Sequence, residues 1–228
     1  MMLTLLLDPA PLFLSLKLAL TTTFILLFLG LPLAWWLSVN KNLLTLIIEV
    51  FVTMPLVLPP TVLGFYLLIA FNPAHNPAKW LLEHFNLQLT FTFQGLLAGS
   101  LLYSLPFMVT PLKSAFQQIP ESLSQASLTL GKSRFETFFL IILPAIKPAV
   151  ISAIILSFAH TLGEFGVVLM IGGNIPGKTR LASMAIYDAV ESMDYDSAGW
   201  YAFILFAATF ILVSAVFVFN RHNRSIIR

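Results

Sequence analysis

The sequence predicts an all-α membrane protein: about five membrane-spanning helices, with a short amphipathic helix outside the bilayer between the third and fourth. Three observations lead there. The chain is 58% hydrophobic and only 10% charged, against roughly 25% charged for a soluble domain. Apolar stretches of at least the roughly 20 residues that cross a bilayer recur along its 228 residues. Lysine and arginine gather on alternate connections between those stretches. Residues 1–228 therefore read as one integral domain, with an extramembrane loop at 117–137 and a cytoplasmic tail at 221–228.

The same composition excludes other classes. A net charge of +2 without a basic block gives nucleic acid nothing to bind. With no cysteine, there is no disulfide, zinc-thiolate site or cysteine nucleophile.

The first span covers about 11–38. It is longer than the roughly 7–15 apolar residues of a signal peptide, and no cationic segment precedes it, so it is expected to be retained. The second covers about 43–71, the third 91–116, the fourth 138–171 and the fifth 200–220. Lys41, Lys113, Lys132, Arg134, Lys147, Arg221, Arg224 and Arg228 fall on one side. Lys79, Lys178 and Arg180 fall on the other, and Lys17 can snorkel outward. The positive-inside rule makes the first side cytoplasmic, with the N-terminus outside and the C-terminus inside. Trp35, Trp36, Trp80, Trp200 and Tyr201 sit near span ends, as an interfacial aromatic belt requires.

Two spans are irregular. Span two carries Pro55, Pro59 and Pro60, followed by Thr61 and Gly64. Each proline removes a backbone donor and clashes one turn back, so no regular helix runs through them. The freed carbonyls must face protein or water. The segment is either a broken helix lining a translocation cavity or a kink packed against neighbours. Span four, about 34 residues, would be roughly 50 Å long if straight, more than the bilayer core needs. A break is expected at Gly163-Glu164-Phe165-Gly166. Glu164, near the outer mouth, is a functional candidate because intramembrane ionisable groups are costly. The other reading is a solvated or paired carboxylate, with His160 as its partner. In span three, Gly95 and Gly99 make a small-residue face whose partner could lie in this chain or in a second copy.

The loop between spans three and four carries the most information. Glu121 suits a helix N-terminus, and Pro120 suits its first position. Ile119, Leu123, Ala126 and Leu130 recur at helical spacing to form one apolar face, with Glu121, Ser122, Gln125 and Thr129 opposite. Gly131 is a suitable residue after the helix end, and Ser133 with Glu136 forms a capping box opening the next helix. A helix resting in lipid headgroups would carry cations and a bulky apolar face. This one has neither, and Ala126 and Ser127 are small enough for close approach. A protein groove fits better.

Gln125-Ala126-Ser127, then Gly131, then Ile141-Ile142-Leu143-Pro144 resemble the "EAA" signature of binding-protein-dependent ATP-binding-cassette importer permeases, in order and spacing. Gln125 and Ser127 depart from its Glu and Ala, which weakens any ionic contact but keeps the helix–Gly–helix pattern. The strings 55–64, 163–166 and 171–179 further resemble molybdate permeases of the ModB type, with sulfate and tungstate permeases as near relatives.

The resemblance implies the type I importer permease fold. It also implies a coupling helix (Glu121, Leu123, Gln125, Ala126, Ser127, Leu130, Gly131) docking on an ATPase subunit. Two copies of the chain would form the pore in a bacterial inner membrane. Two ATP-binding subunits would sit below and a periplasmic oxyanion-binding protein above. ATP and magnesium would belong to the partner, since this chain lacks a phosphate-binding loop; Pro176-Gly177-Lys178-Thr179 is only a partial echo. Pro55, Pro59, Pro60, Thr61, Gly163, Glu164 and Gly166 are the path candidates. The chain itself is expected to be a transport subunit and no enzyme, holding no cofactor or metal. The main rival is an ion-gradient-driven transporter, which should show inverted repeats and more buried ionisable groups. An intramembrane metalloprotease would need a His-Glu-x-x-His motif, and His84 and His160 stand alone.

Overall fold

A computed structural model describes residues 8–226, of which 219–226 are described as backbone only. Arg228 lies outside the described residues, and the expected tail at 221–228 is helical through Ile226. Every regular element among the described residues is helical.

Three helices are long and apolar enough to cross a bilayer: α1 (Ala10–Val39), α5 (Phe93–Gln117) and α12 (Tyr195–Ile226). Two more spans are bent pairs. α2 (Leu43–Thr53) runs through a 3₁₀ turn at Met54–Leu56 and meets α3 (Pro60–Ala70) at 115°. The segment Arg134–Ala145 meets α9 (Lys147–Leu162) at 70°. The five expected spans thus map onto α1, α2/α3, α5, the bent pair ending in α9, and α12.

Local chemistry sets the element boundaries. The Asn42 side chain accepts from Thr45 N–H at 2.8 Å to start α2, and Thr92 caps α5 through Gly95 N–H at 3.3 Å. Such caps satisfy amides that the first turn leaves unpaired. Pro59 and Pro60 end one helix and open the next, because proline lacks the donor a continuing helix needs.

The core forms where α1, α5 and α9 pack together. Leu26, Ala34, Met108, Leu112 and Ala153 are buried there. In lipid there is no hydrophobic drive between helices, so close van der Waals fit does the work. Gly30 shows how tight that fit is: a Cβ there would lie 2.7 Å from Met108 Cγ. A second cluster joins Leu18, Leu96, Val168, Leu181 and Met184.

Three features differ from the sequence reading. Span four, expected from near residue 138, is not straight at its start: Phe138–Ile142 is a π-helical turn that leads through the short α8 (Leu143–Ala145) into the 70° bend before α9. Pro148, at the start of α9, cannot donate to the preceding turn. The connection at 72–90 contains α4 (Ala78–Phe85), and that at 172–198 contains α11 (Ala182–Glu191). The latter is built into the core: Ser15 Oγ accepts from Ala182 N–H at 2.8 Å, and Leu181, Ala182 and Met184 are fully buried.

Candidate functional site

Two places hold the residues singled out above. The first is the loop helix α6 (Glu121–Thr129). Pro120 stands just before it as N-cap, with φ −62° and ψ 135°, so Glu121 is the first helical residue. At the other end Lys132 N–H bonds Ser127 C=O at 3.2 Å, and Gly131 N–H bonds Leu128 C=O at 3.0 Å. This is the paired bonding of a Schellman motif, and it places Gly131 at φ +82°, a region side chains resist. Ser133 Oγ then accepts from Glu136 N–H at 3.1 Å while Glu136 accepts from Ser133 N–H at 2.8 Å. The expected capping box is present and opens α7 (Arg134–Thr137). The hydrogen bond from the Ser133 amide, supported by the Ser133 hydroxyl and by Lys132, holds the Glu136 carboxyl below its usual range.

The orientation of α6 is the unexpected part. Its apolar face is covered only in part: Ile119 packs against the core, whereas Leu123 is 39% exposed, Leu130 83% exposed, and Ala126 is exposed with them. The buried residue is Ser127, at 2%, whose hydroxyl lies 2.9 Å from that of Thr137. Thr137 gives its own proton to Ser133 C=O, so Ser127 is the donor. Ser127 is therefore a strut inside the chain and is not free to meet a partner. Glu121 and Gln125 line a cleft of about 570 Å³, together with Trp35, Lys41 and Phe116. The exposed apolar stripe can take a partner's surface, while the turn behind it is held by two caps and one hydroxyl pair.

The second place lies where the two broken spans meet. α10 (Gly166–Gly172) follows the break after α9 and packs on α3. A Cβ on Gly166 would lie 2.7 Å from Pro60 Cβ, and one on Gly64 would lie 2.8 Å from Met170 Cβ. On its other side α10 meets α5, where a Cβ on Gly99 would lie 2.6 Å from Ile171 Cδ1. The small-residue face of span three thus has its partner within the same chain. For Gly95, the space is taken by the Leu89 carbonyl.

The path candidates divide by exposure. Pro59, Thr61 and Gly163 are exposed, Pro60 and Gly166 are half-buried at the crossing, and Pro55 and Glu164 are buried. Glu164 is 3% exposed, accepts from Ser100 Oγ at 2.7 Å, and takes Ser183 Oγ on its backbone carbonyl at 2.6 Å. It is neither solvated nor paired with His160. The imidazole instead bonds Ser104 at 2.9 Å and stacks on Phe107 with ring centroids 3.9 Å apart. Ser104 also bonds Thr161 at 2.8 Å. Ser100 and Ser104, one turn apart on α5, therefore meet His160, Thr161 and Glu164 across the helix interface. Periodicity alone does not reveal this polar seam, although the four-residue spacing on both strands of the contact is visible in the sequence.

Two other motifs settle into structural roles. Thr179 donates to Gly172 C=O at 2.6 Å and accepts from Ile175 N–H at 2.9 Å, closing a turn and leaving no phosphate cradle. Lys17 lies 4.5 Å over the Phe93 ring, and Glu49 pairs with Lys113 between α2 and α5.

Comparison with known proteins adds sequence kinship to this geometry. The family model described as "Binding-protein-dependent transport system inner membrane component" matches residues 18–227. The molybdenum transport system permease protein ModB of Azotobacter vinelandii is 47% identical over 215 residues, 94% of this chain and 95% of its own. The sulfate transport system permease protein CysT of Escherichia coli K12 is 30% identical, over 82% of this chain and 67% of its own. The probable permease NifC of Clostridium pasteurianum is 34% identical, over 90% and 70%. Among solved structures, an inward-facing MetNI methionine ABC transporter chain superposes with a TM-score of 0.70 at 15% identity, over 96% of this chain and 95% of that one. A chain of a bacterial ABC transporter that imports alginate superposes with a TM-score of 0.71 at 16% identity, over 100% and 83%. At those identities the solved structures speak for the fold, which is that of type I importer permeases.

Proposed function

This chain belongs to the family of binding-protein-dependent transport system inner membrane components, and from that membership we propose that it imports molybdate as one half of a homodimeric pore. The family is one of transport permease subunits, which favours the importer reading over ion-gradient-driven transport. Molybdate as the cargo is supported by the 47% identity to a molybdenum permease over nearly the whole of both chains. Tungstate and sulfate are the alternative cargoes, the latter through the more distant sulfate relative.

The mechanism rests on one observation: α6 is held at its C-terminal end by a Schellman turn, the capping box that follows it and the Ser127–Thr137 pair, yet it leaves Ala126, Leu130 and part of Leu123 uncovered. An apolar stripe on a rigid helix suits a groove on a cytoplasmic ATP-binding subunit. ATP and magnesium would be held by that subunit. Closure of two such subunits would push on α6 of each copy, and the push would pass through the Ser127–Thr137 contact into the bent span. The broken segments α2/α3 and α9/α10, in contact at Gly166 and Pro60, would then swing as packed bodies between two arrangements. A periplasmic binding protein would deliver the oxyanion at the opposite face. The N-terminus would be outside and the C-terminus in the cytoplasm, as the lysine and arginine distribution supports.

The test is co-purification in mild detergent of the tagged chain with the ATP-binding subunit encoded beside it, next to a Gly131→Asp variant, followed by competitive uptake of labelled molybdate against sulfate. Retention of the ATPase by the wild type, its loss in the variant, and uptake that sulfate fails to inhibit are the expected results. A wild-type chain that purifies alone and stable overturns the coupling reading. Inhibition by equimolar sulfate overturns the choice of cargo.

A further inference from the structure

An apolar groove of about 760 Å³ runs along the outside of the molecule between α1 and the bent segment that follows the loop helix. Phe28, Leu31 and Trp35 form one wall, and Phe135 and Phe139 form the other. The second wall exists because the chain makes a π-helical turn at Phe138–Ile142 in place of a regular helix. Phe138 packs on Trp35 with ring centroids 5.2 Å apart and forms the floor. Phe28, Phe135 and Phe139 are 64%, 72% and 46% exposed, so the chain itself leaves the groove open.

One end of the groove is different. Arg134 lines it there, and among the described residues no carboxylate pairs with it. Of the acids near that end, Glu49 pairs with Lys113 and Glu136 with Lys132, while Glu121 lines the neighbouring cleft that shares Trp35. Trp35 stands beside Arg134 at 42% exposure, in the position an interfacial indole takes. An unpaired guanidinium at the membrane surface, continuous with an aromatic channel running into the hydrocarbon, repeats the layout of an anionic phospholipid: phosphate outside, acyl chain within.

We propose that this groove is a binding site for an anionic phospholipid, whose headgroup phosphate is held by Arg134 and whose acyl chain lies against Phe28, Leu31, Trp35, Phe135 and Phe139. A second copy of the chain is the competing occupant. It would bring no free carboxylate to this level other than Glu121, since Asp8, Glu83, Asp188, Glu191, Asp194 and Asp196 lie on the far side of the spans and Glu164 is buried. The lipid would brace the turn that joins the loop helix to the fourth span. The site does not depend on which solute crosses the pore.

Trp35 is a built-in reporter. In a chain with Trp36, Trp80 and Trp200 replaced by phenylalanine, reconstituted with its ATP-binding subunit in phosphatidylethanolamine vesicles, Trp35 fluorescence is titrated with dibrominated phosphatidylglycerol or dibrominated phosphatidylcholine. The expected result is an apparent affinity about fivefold higher for the anionic lipid, the ratio one interfacial cation supports. Arg134→Gln should bring that ratio to one and Arg134→Lys should largely restore it, which separates charge loss from misfolding. Equal quenching by both lipids, or a ratio that Arg134→Gln leaves unchanged, overturns the proposal as ordinary annular lipid. Absence of quenching by either lipid also overturns it, because protein then covers the groove.

Discussion

Ser127 and Thr137 meet hydroxyl to hydroxyl at 2.9 Å, and this pair fastens the loop helix to the helix that follows it. Ser127→Ala removes a donor but leaves Thr137 bonded to Ser133 C=O. The expected cost is about 1 kcal/mol, the net value of an ordinary hydrogen bond. Thr137→Val removes the acceptor and strands a buried hydroxyl, which should cost roughly 1–3 kcal/mol. Thermal unfolding of the two variants in detergent should rank them in that order.

Leu130 offers the opposite case. It is 83% exposed, so Leu130→Asp should leave the melting temperature of the isolated chain within experimental error. It should nevertheless abolish co-purification of the ATP-binding subunit. A variant that unfolds the chain would show that Leu130 packs internally.

Gly166 sits where the two broken spans cross. With a Cβ only 2.7 Å from Pro60 Cβ, Gly166→Ala forces a ring or a helix to move, at about 1–3 kcal/mol. Uptake should fall while binding of the ATPase subunit is kept, since α6 is untouched. Gly199→Ala is the control: a Cβ there meets nothing within 4 Å, and uptake should survive.

Ser100 is the side-chain hydrogen-bond donor that the structure gives Glu164. Ser100→Ala leaves a buried carboxyl without it and should destabilise by roughly 1–3 kcal/mol, more than Ser104→Ala. In Ser104→Ala, His160 keeps its stacking on Phe107. Comparing the two melting temperatures decides the point.

The capping box should respond to pH. Glu136 is held below the ordinary carboxylate value of 4.5, so its contribution is fully present above that value and is lost as pH falls through the lower folded one. Exchange of the Ser133 amide, relative to its intrinsic rate, should therefore be slow at neutral pH and quicken in acid. In Glu136→Gln the acid-dependent step should vanish.

The turn around Gly131 was legible in the sequence because its determinants are local: a proline before the helix, a glycine after it, a serine three residues ahead of a glutamate. The breaks at Pro59-Pro60 and at Gly163–Gly166 were legible for the same reason. Their angles and partners were not, since the 115° bend is accompanied by packing of α3 on α10, a helix far away in the sequence. The face of α6 was read correctly as apolar, but the burial of Ser127 depends on Thr137, ten residues away. The burial of Glu164 escaped for a similar reason. Its partner, Ser100, is 64 residues distant, and a serine in a membrane span carries no mark of what it will meet. The helix α11 was missed because its ten residues are too few to span a bilayer and its buried face has no evident partner until Ser15 and Leu18 supply one.

The bond between Ser15 and the amide of Ala182 spans 167 residues, and that between Tyr201 Oη and the Asp8 carbonyl spans 193. At roughly 5–20 residues per second, a ribosome needs about 10–30 s to travel from one member of the first pair to the other. Throughout that interval the outer part of the opening helix, around Ser15 and Leu18, lacks the partner that α11 supplies. Assembly is thus completed from the last-made helices back to the first. A chain released early by a premature stop therefore exposes an unfilled seam along its oldest segment.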